Sequence, residues 1–154
     1  MKGGSQPCTV HLVDVRDVRP DPNELGMMIL RVVRTADSVA WVQTALGTMK
    51  QDPRLLFVGD DRNAPLVLKI ELIKAYIITM NTQKSANIVL RVRYNHEGKD
   101  LDAQIARGRD TGANWVNGAD EAQGALDRAL SAAVSDLDNE IVARCHELES
   151  EKPA

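Results

Sequence analysis

Two thiols and two imidazoles stand near opposite ends of the 154-residue sequence, as Cys8-x-x-His11 and Cys145-His146, and together they make the inventory of a structural zinc site. The spacing argues against a metal. In an extended strand Cys8 and His11 point to opposite faces, and on a helix Cys145 and His146 diverge by about 100°. The same divergence weakens a cysteine nucleophile, which needs a base within hydrogen-bond reach. What the sulfurs do then depends on compartment: separate thiols in a reducing one, a disulfide in an oxidising one. A Cys8–Cys145 bond would close a loop of nearly the whole chain, a cross-link for which chain-entropy arithmetic gives about 4–5 kcal/mol.

A second group of chemistry-bearing residues is the run Asp14-Val15-Arg16-Asp17-Val18-Arg19. It falls at the end of a predicted strand, where sheet proteins keep binding loops. Asp14, Arg16, Asp17 and Arg19 are the candidate binding residues, and mutual Asp–Arg pairing is the plain structural account of the same pattern. Arg91 and Arg93, with Lys69, Arg107 and Arg109, form a third group that could make one sheet face basic. Glu71 and Asp102 interleave with them, so cross-strand ion pairs are expected there. No base, nucleophile or metal set accompanies either cluster, so no catalytic residue and no cofactor is assigned. Gly108-Arg109-Asp110-Thr111-Gly112 lacks the Gly-Lys-Ser/Thr ending of a phosphate loop.

Positioning these groups falls to a short series of elements. Residues 9–16 carry apolar side chains on both parities, which predicts an interior strand covered on both faces. Pro20 and Pro22 end it, and residues 25–34 read as a short strand or an irregular crossing. Asp37 or Ser38 would cap a helix running to about Lys50 on Val39, Val42, Leu46 and Met49. Residues 55–58 form a short strand, and the strand–helix–strand order predicts a parallel pair. Leu66, Leu68, Ile70 and Leu72 alternate until Ile73 and Lys74 disturb the pattern, predicting a bulge near Ile73. After a loop over 81–85, Ile88, Leu90, Val92 and Tyr94 alternate, and beyond a turn at 95–99 so do Leu101, Ala103 and Ile105. The three strands make an antiparallel meander.

Gly108, Gly112 and Gly118 are read as breaking the chain around Trp115, which anchors the end of the core or, exposed with Met27 and Met28, marks a partner patch. A long helix then runs from about Ala119 to Leu148, its stripe Ala122, Leu126, Leu130, Val134, Leu137, Ile141, Cys145 and Leu148 at three- and four-residue steps. Cys145 belongs to that inward stripe, which favours a meeting with Cys8.

The composition fits one aliphatic domain: 44% hydrophobic residues, 3% aromatic and a formal net charge of −3. No apolar run approaches the ~18 residues of a spanning helix. From Asp120 to Lys152 nine acids face three bases, a net of −6 that leaves +3 for the remainder. With so few rings and a pI near 5.6, nucleic-acid recognition is not expected. The fold class is α+β, a two-layer sandwich with a mixed four- or five-stranded sheet and two helices on one face. A lead-in over 1–8, a domain over 9–148 and a tail over 149–154 divide the chain.

The first strand ending in Asp14 and Asp17-Val18-Arg19, Gly26, the Leu-Val-Leu-Lys-Ile-Glu-Leu strand at 66–72, Arg107-Gly108, Trp115 and the Ala/Leu-rich last helix resemble, in this order, the YajG-like bacterial envelope lipoproteins. The resemblance implies a non-catalytic periplasmic or outer-membrane-associated accessory protein, a surface antigen or assembly factor, whose partner is an envelope protein, glycan or lipid. The start departs from the members' lipidated N-terminal cysteine: nothing before Cys8 resembles a lipobox and residues 1–7 do not read as a signal peptide, so either a cytosolic chain or one whose signal is absent from this sequence is expected. Two other readings stay open: a small hydrolase or transferase with its site at the first strand end, which requires a cleft joining that segment to His96, and a cytoplasmic nucleic-acid module on the Arg91/Arg93 face.

Overall fold

The computed structural model describes residues 7–19, 24–27, 32–34, 38–59, 66–80, 82–113 and 119–151. In chain order these form β1 (Cys8–Asp17), β2 (Glu24–Met27), β3 (Val32–Arg34), α1 (Ser38–Ala45), α2 (Gly47–Lys50), β4 (Leu55–Phe57), β5 (Leu66–Met80), β6 (Gln83–His96), β7 (Lys99–Ala113) and α3 (Ala119–Glu151). The sheet is mixed and five strands wide, in the order β4-β1-β5-β6-β7, with β2 continuing beyond β1 along the same edge of β5 and β3 paired to β2. β1 runs parallel to both β4 and β5, while β5, β6 and β7 form the antiparallel meander. The fold is the α+β two-layer arrangement that the sequence predicts.

One sheet face is covered. Leu66, Leu68, Ile70, Leu72, Ile88, Leu90 and Val92 alternate onto it and are buried against α3, whose whole predicted stripe from Ala122 to Cys145 is inward, with Leu148 partly buried. Burying each Leu or Ile contributes roughly 1.5–3 kcal/mol, so this layer carries the stability. α3 lies over β7, β6 and the rim of β5, and α1 and α2 fill the space between it, β1 and β4. Trp41 of α1 fastens the two helices, its indole N–H donating to the Asp127 carboxylate at 2.8 Å.

Several sequence expectations change, each for a local reason. The double parity of the first strand does not mean double cover: the register slips between Leu12 and Asp14, and Val13, the extra residue, is 46% exposed. A second slip between Leu72 and Lys74 is the bulge expected at Ile73. Residues 83–85 belong to β6 and not to a loop; Lys84 is buried, with its ammonium donating to the Ala113 carbonyl and meeting Glu121 of α3 at 3.3 Å.

Gly108 and Gly112 do not break the chain but lie inside β7. At Gly108 a Cβ would stand 1.9 Å from the Ala129 carbonyl oxygen and 2.4 Å from the Ala133 nitrogen, so the absent side chain lets α3 settle directly on the strand. Cys8 is the first residue of β1, and α3 continues to Glu151. Ser38 begins α1, but its hydroxyl donates to Asp17. The lead-in over 1–6, Pro20, Pro22, Asp37, Met28, Trp115 and Gly118 lie outside the described residues.

Candidate functional site

The other face of the sheet has no helix on it among the described residues. Strand pairing places its side chains in cross-strand rows: Val67 and Asn95; Lys69 and Arg93; Glu71, Arg91 and Ile105; Lys74, Val89 and Arg107; Tyr76, Asn87 and Arg109; Ile78, Ser85 and Thr111. Neighbouring members of a row sit about 5 Å apart and successive rows about 7 Å apart. β1 adds Asp14 beside Lys69 and Arg16 beside Glu71. The result is a basic face. Lys69, Lys74, Arg16, Arg91, Arg93, Arg107 and Arg109 outnumber Asp14, Glu71 and Asp100. Exposed aliphatics lie among them: Leu56, Ile78 and Ile105 are 50%, 48% and 41% exposed.

The expected cross-strand pairing holds for one half of this face. Glu71 accepts from Arg91 Nε at 2.6 Å and from Arg93 Nε at 2.8 Å. Its half-buried position works to raise the carboxyl, but the two guanidiniums outweigh that and hold it below the ordinary carboxylate range. Asp102 takes no part in this pairing; its backbone carbonyl accepts from Arg144 of α3. Lys74, Arg107 and Arg109 form no ion pair with any described residue. The two arginines line a shallow basin of about 260 Å³ with Tyr76, Asn87 and Val89, and Lys74 stands outside it, across β6 from Arg107. A second depression of about 410 Å³, at the Val67 end, includes Lys69, Arg93, Asn95 and Asp100.

The four candidate residues of the first strand do not converge. Asp14 and Arg16 lie on the basic face, joined at 3.0 Å with Arg16 67% exposed. Asp17 turns to the helix side, where Arg19 Nη2 donates to it at 2.6 Å and both side chains are almost wholly buried, at 3% and 6% exposure. Arg19 also donates to the Ala75 carbonyl at 3.3 Å. Burial works to raise the Asp17 carboxyl, yet the hydrogen bonds from Arg19 and Ser38 win and keep it ionised below the usual range. His96 is some six strand residues from Asp17 along the ladder, roughly 20 Å, so no cleft joins them.

The zinc inventory resolves differently. Cys8 and Cys145 form a disulfide with Cα atoms 6.2 Å apart, spanning 137 positions of sequence. The His11 ring is engaged elsewhere, its Nδ1 donating to the Val58 carbonyl at 2.9 Å.

One ionisable group escaped the sequence reading. Arg54, whose carbonyl accepts the Cys8 amide, bonds Asp52 at 2.8 Å and reaches Asp138 of α3 at 3.5 Å. Burial, followed by the hydrogen bond and charge of Asp52, pushes the Asp138 carboxyl up to about 7, against the weaker pull of Arg54. Nothing in the sequence places residues 52 and 138 together; only the packing of α3 on the turn before β4 does.

No protein-family model and no curated protein matches the sequence. Solved structures do share its fold. A minor lipoprotein from Acinetobacter baumannii superposes with a TM-score of 0.59 at 12% identity, covering 88% of this chain and 91% of that one. A DUF330 protein from Xanthomonas campestris gives 0.54 at 12% identity over 97% and 94%. A hypothetical protein from Chlamydia trachomatis gives 0.54 at 12% identity over 90% and 95%. The fold is thus one found in bacterial lipoproteins, and no described helix is long and apolar enough to cross a membrane.

Proposed function

We propose that the chain is a non-catalytic accessory protein of the bacterial cell envelope, of the YajG-like kind, which binds its partner through the open basic face of the sheet. The observation that carries this reading is the Cys8–Cys145 bond. A disulfide linking the first strand to the last helix persists in an oxidising compartment and is rare in a reducing one. The fold shared with a minor lipoprotein supports the same compartment. On the open face, exposed cations and aliphatics side by side are the texture of a contact surface. Asp14 and Arg16 form its border, and Asp17 with Arg19 fixes the strand end from the opposite side.

The test is made in cells expressing the protein from its own gene. Trapping free thiols with a mass-tagged alkylating reagent before lysis, followed by fractionation, should find the chain in the envelope or periplasmic fraction with no reagent added until it is reduced. A cytosolic protein with two reactive thiols would overturn the reading.

A further inference from the structure

The half of the basic face that has no carboxylate to satisfy it among the described residues points to a specific kind of partner. Arg107 and Arg109 stand two residues apart on β7 and so share a side, with Lys74 across β6 from Arg107 and Tyr76 across it from Arg109. Glu71 is occupied by Arg91 and Arg93, and Asp110 by Arg128 on the helix side. Asp136 reaches round the edge of β7 but accepts the Arg107 backbone N–H, at 3.0 Å. The basin therefore presents two guanidiniums and the Asn87 and Tyr76 polar groups, with the Lys74 ammonium beside it across β6, without a described counter-charge. Guanidiniums in this geometry match the oxygens of phosphate.

We propose that this basin, with the basic rows around it, seats the phosphate headgroups of an anionic lipid surface. The inference rests on the envelope reading above. Charge complementarity is the first argument: the cations cluster on one broad face, as a polyanionic plane requires. The second is the exposed aliphatics on that same face. Ile78 and Ile105 flank the basin rows, where acyl-chain boundaries reward apolar contact. A nucleic acid or glycan would call for stacking rings, and Tyr76 alone on these rows is too little.

The experiment is co-sedimentation of the oxidised full-length protein with vesicles of phosphatidylglycerol and phosphatidylcholine, against phosphatidylcholine alone, at low salt. Binding is expected only to the anionic vesicles and should fall with added salt. Each basic residue near an anionic surface strengthens binding roughly fivefold, so the double variant R107E/R109E should lose on the order of 30-fold or more. Both side chains are on the exposed side of an edge strand, and an unchanged melting curve shows that the variant folds; Lys74→Glu provides an independent, smaller loss. Undiminished binding by the double variant, equal binding to both vesicle types, or none at low salt overturns the lipid assignment. So does displacement by inorganic phosphate beyond an ionic-strength-matched chloride control, which identifies a small soluble phosphate ligand. None of these outcomes bears on the compartment, which the thiol-trapping measurement decides separately.

Discussion

Asp14-Val15-Arg16 and Asp17-Val18-Arg19 are the same tripeptide twice in succession, and the fold gives them opposite roles. Three residues is an odd step in a strand, so the second copy faces the other side of the sheet. The first pair lies on the basic surface, with Arg16 67% accessible and Asp14 30%. The second is enclosed beneath α1, where Ser38 and the Ala75 carbonyl complete its hydrogen bonds. Identical chemistry thus becomes a solvated contact on one side and an internal brace on the other. The whole sheet repeats the contrast: one face is fixed by packing, and the other has no helix on it among the described residues.

The largest expected effect tests that contrast at the two aspartates. Asp17→Ala removes the buried carboxylate on which Arg19 and Ser38 converge and should cost about 3–5 kcal/mol, whereas Asp14→Ala should cost about 0–1 kcal/mol, both measured by urea denaturation. Equal losses would abolish the distinction. The two glycines of β7 give a parallel comparison. Gly108→Ala drives a methyl into the backbone of α3 and should cost about 3 kcal/mol, while Gly112→Ala, with nothing within 4 Å of the added carbon, should stay below about 1 kcal/mol.

A smaller, pH-dependent effect sharpens the comparison from the helix side. The folded Asp138 carboxyl titrates near 7 and its unfolded counterpart near 3.8, so between those values the folded chain holds a proton that the unfolded chain has released. Stability should therefore decline as pH rises through that window and level off above it. Asp138→Asn should flatten the decline and gain on the order of 2 kcal/mol at pH 8, with little change near pH 4. A profile that rises over the same range would contradict the assignment.

What the sequence showed most clearly was the periodic part. The α3 stripe, the meander and the bulge at Ile73 are written in spacing, because alternation and helical repeat follow directly from backbone geometry. The inward Cys145 came from the same stripe and led to Cys8. Features that depend on a second element were hidden. The apolar residues on both parities of β1 looked like double cover because one extra residue at Val13 shifts the phase. Gly108 resembled a breaker because only the proximity of α3 explains it. Of the candidate site, the basic residues were legible as a cluster, but which of them Glu71 would satisfy, and which it would leave unpaired, depends on the register of three strands. Asp17 and Arg19 pair as their alternation suggests, but their burial was hidden for the converse reason: charged residues at a strand end look exposed until α1 closes over them.

The disulfide has a mechanical consequence. Cys8 opens the first strand and Cys145 lies in the closing turns of the last helix, so the covalent bond between them is a direct load path across the molecule. Tension applied upstream of one and downstream of the other passes through two sulfur atoms and bypasses the chain between them, a sequence separation of 137. The sheet, with its exposed face, would keep its shape under a pull that unravels the reduced protein.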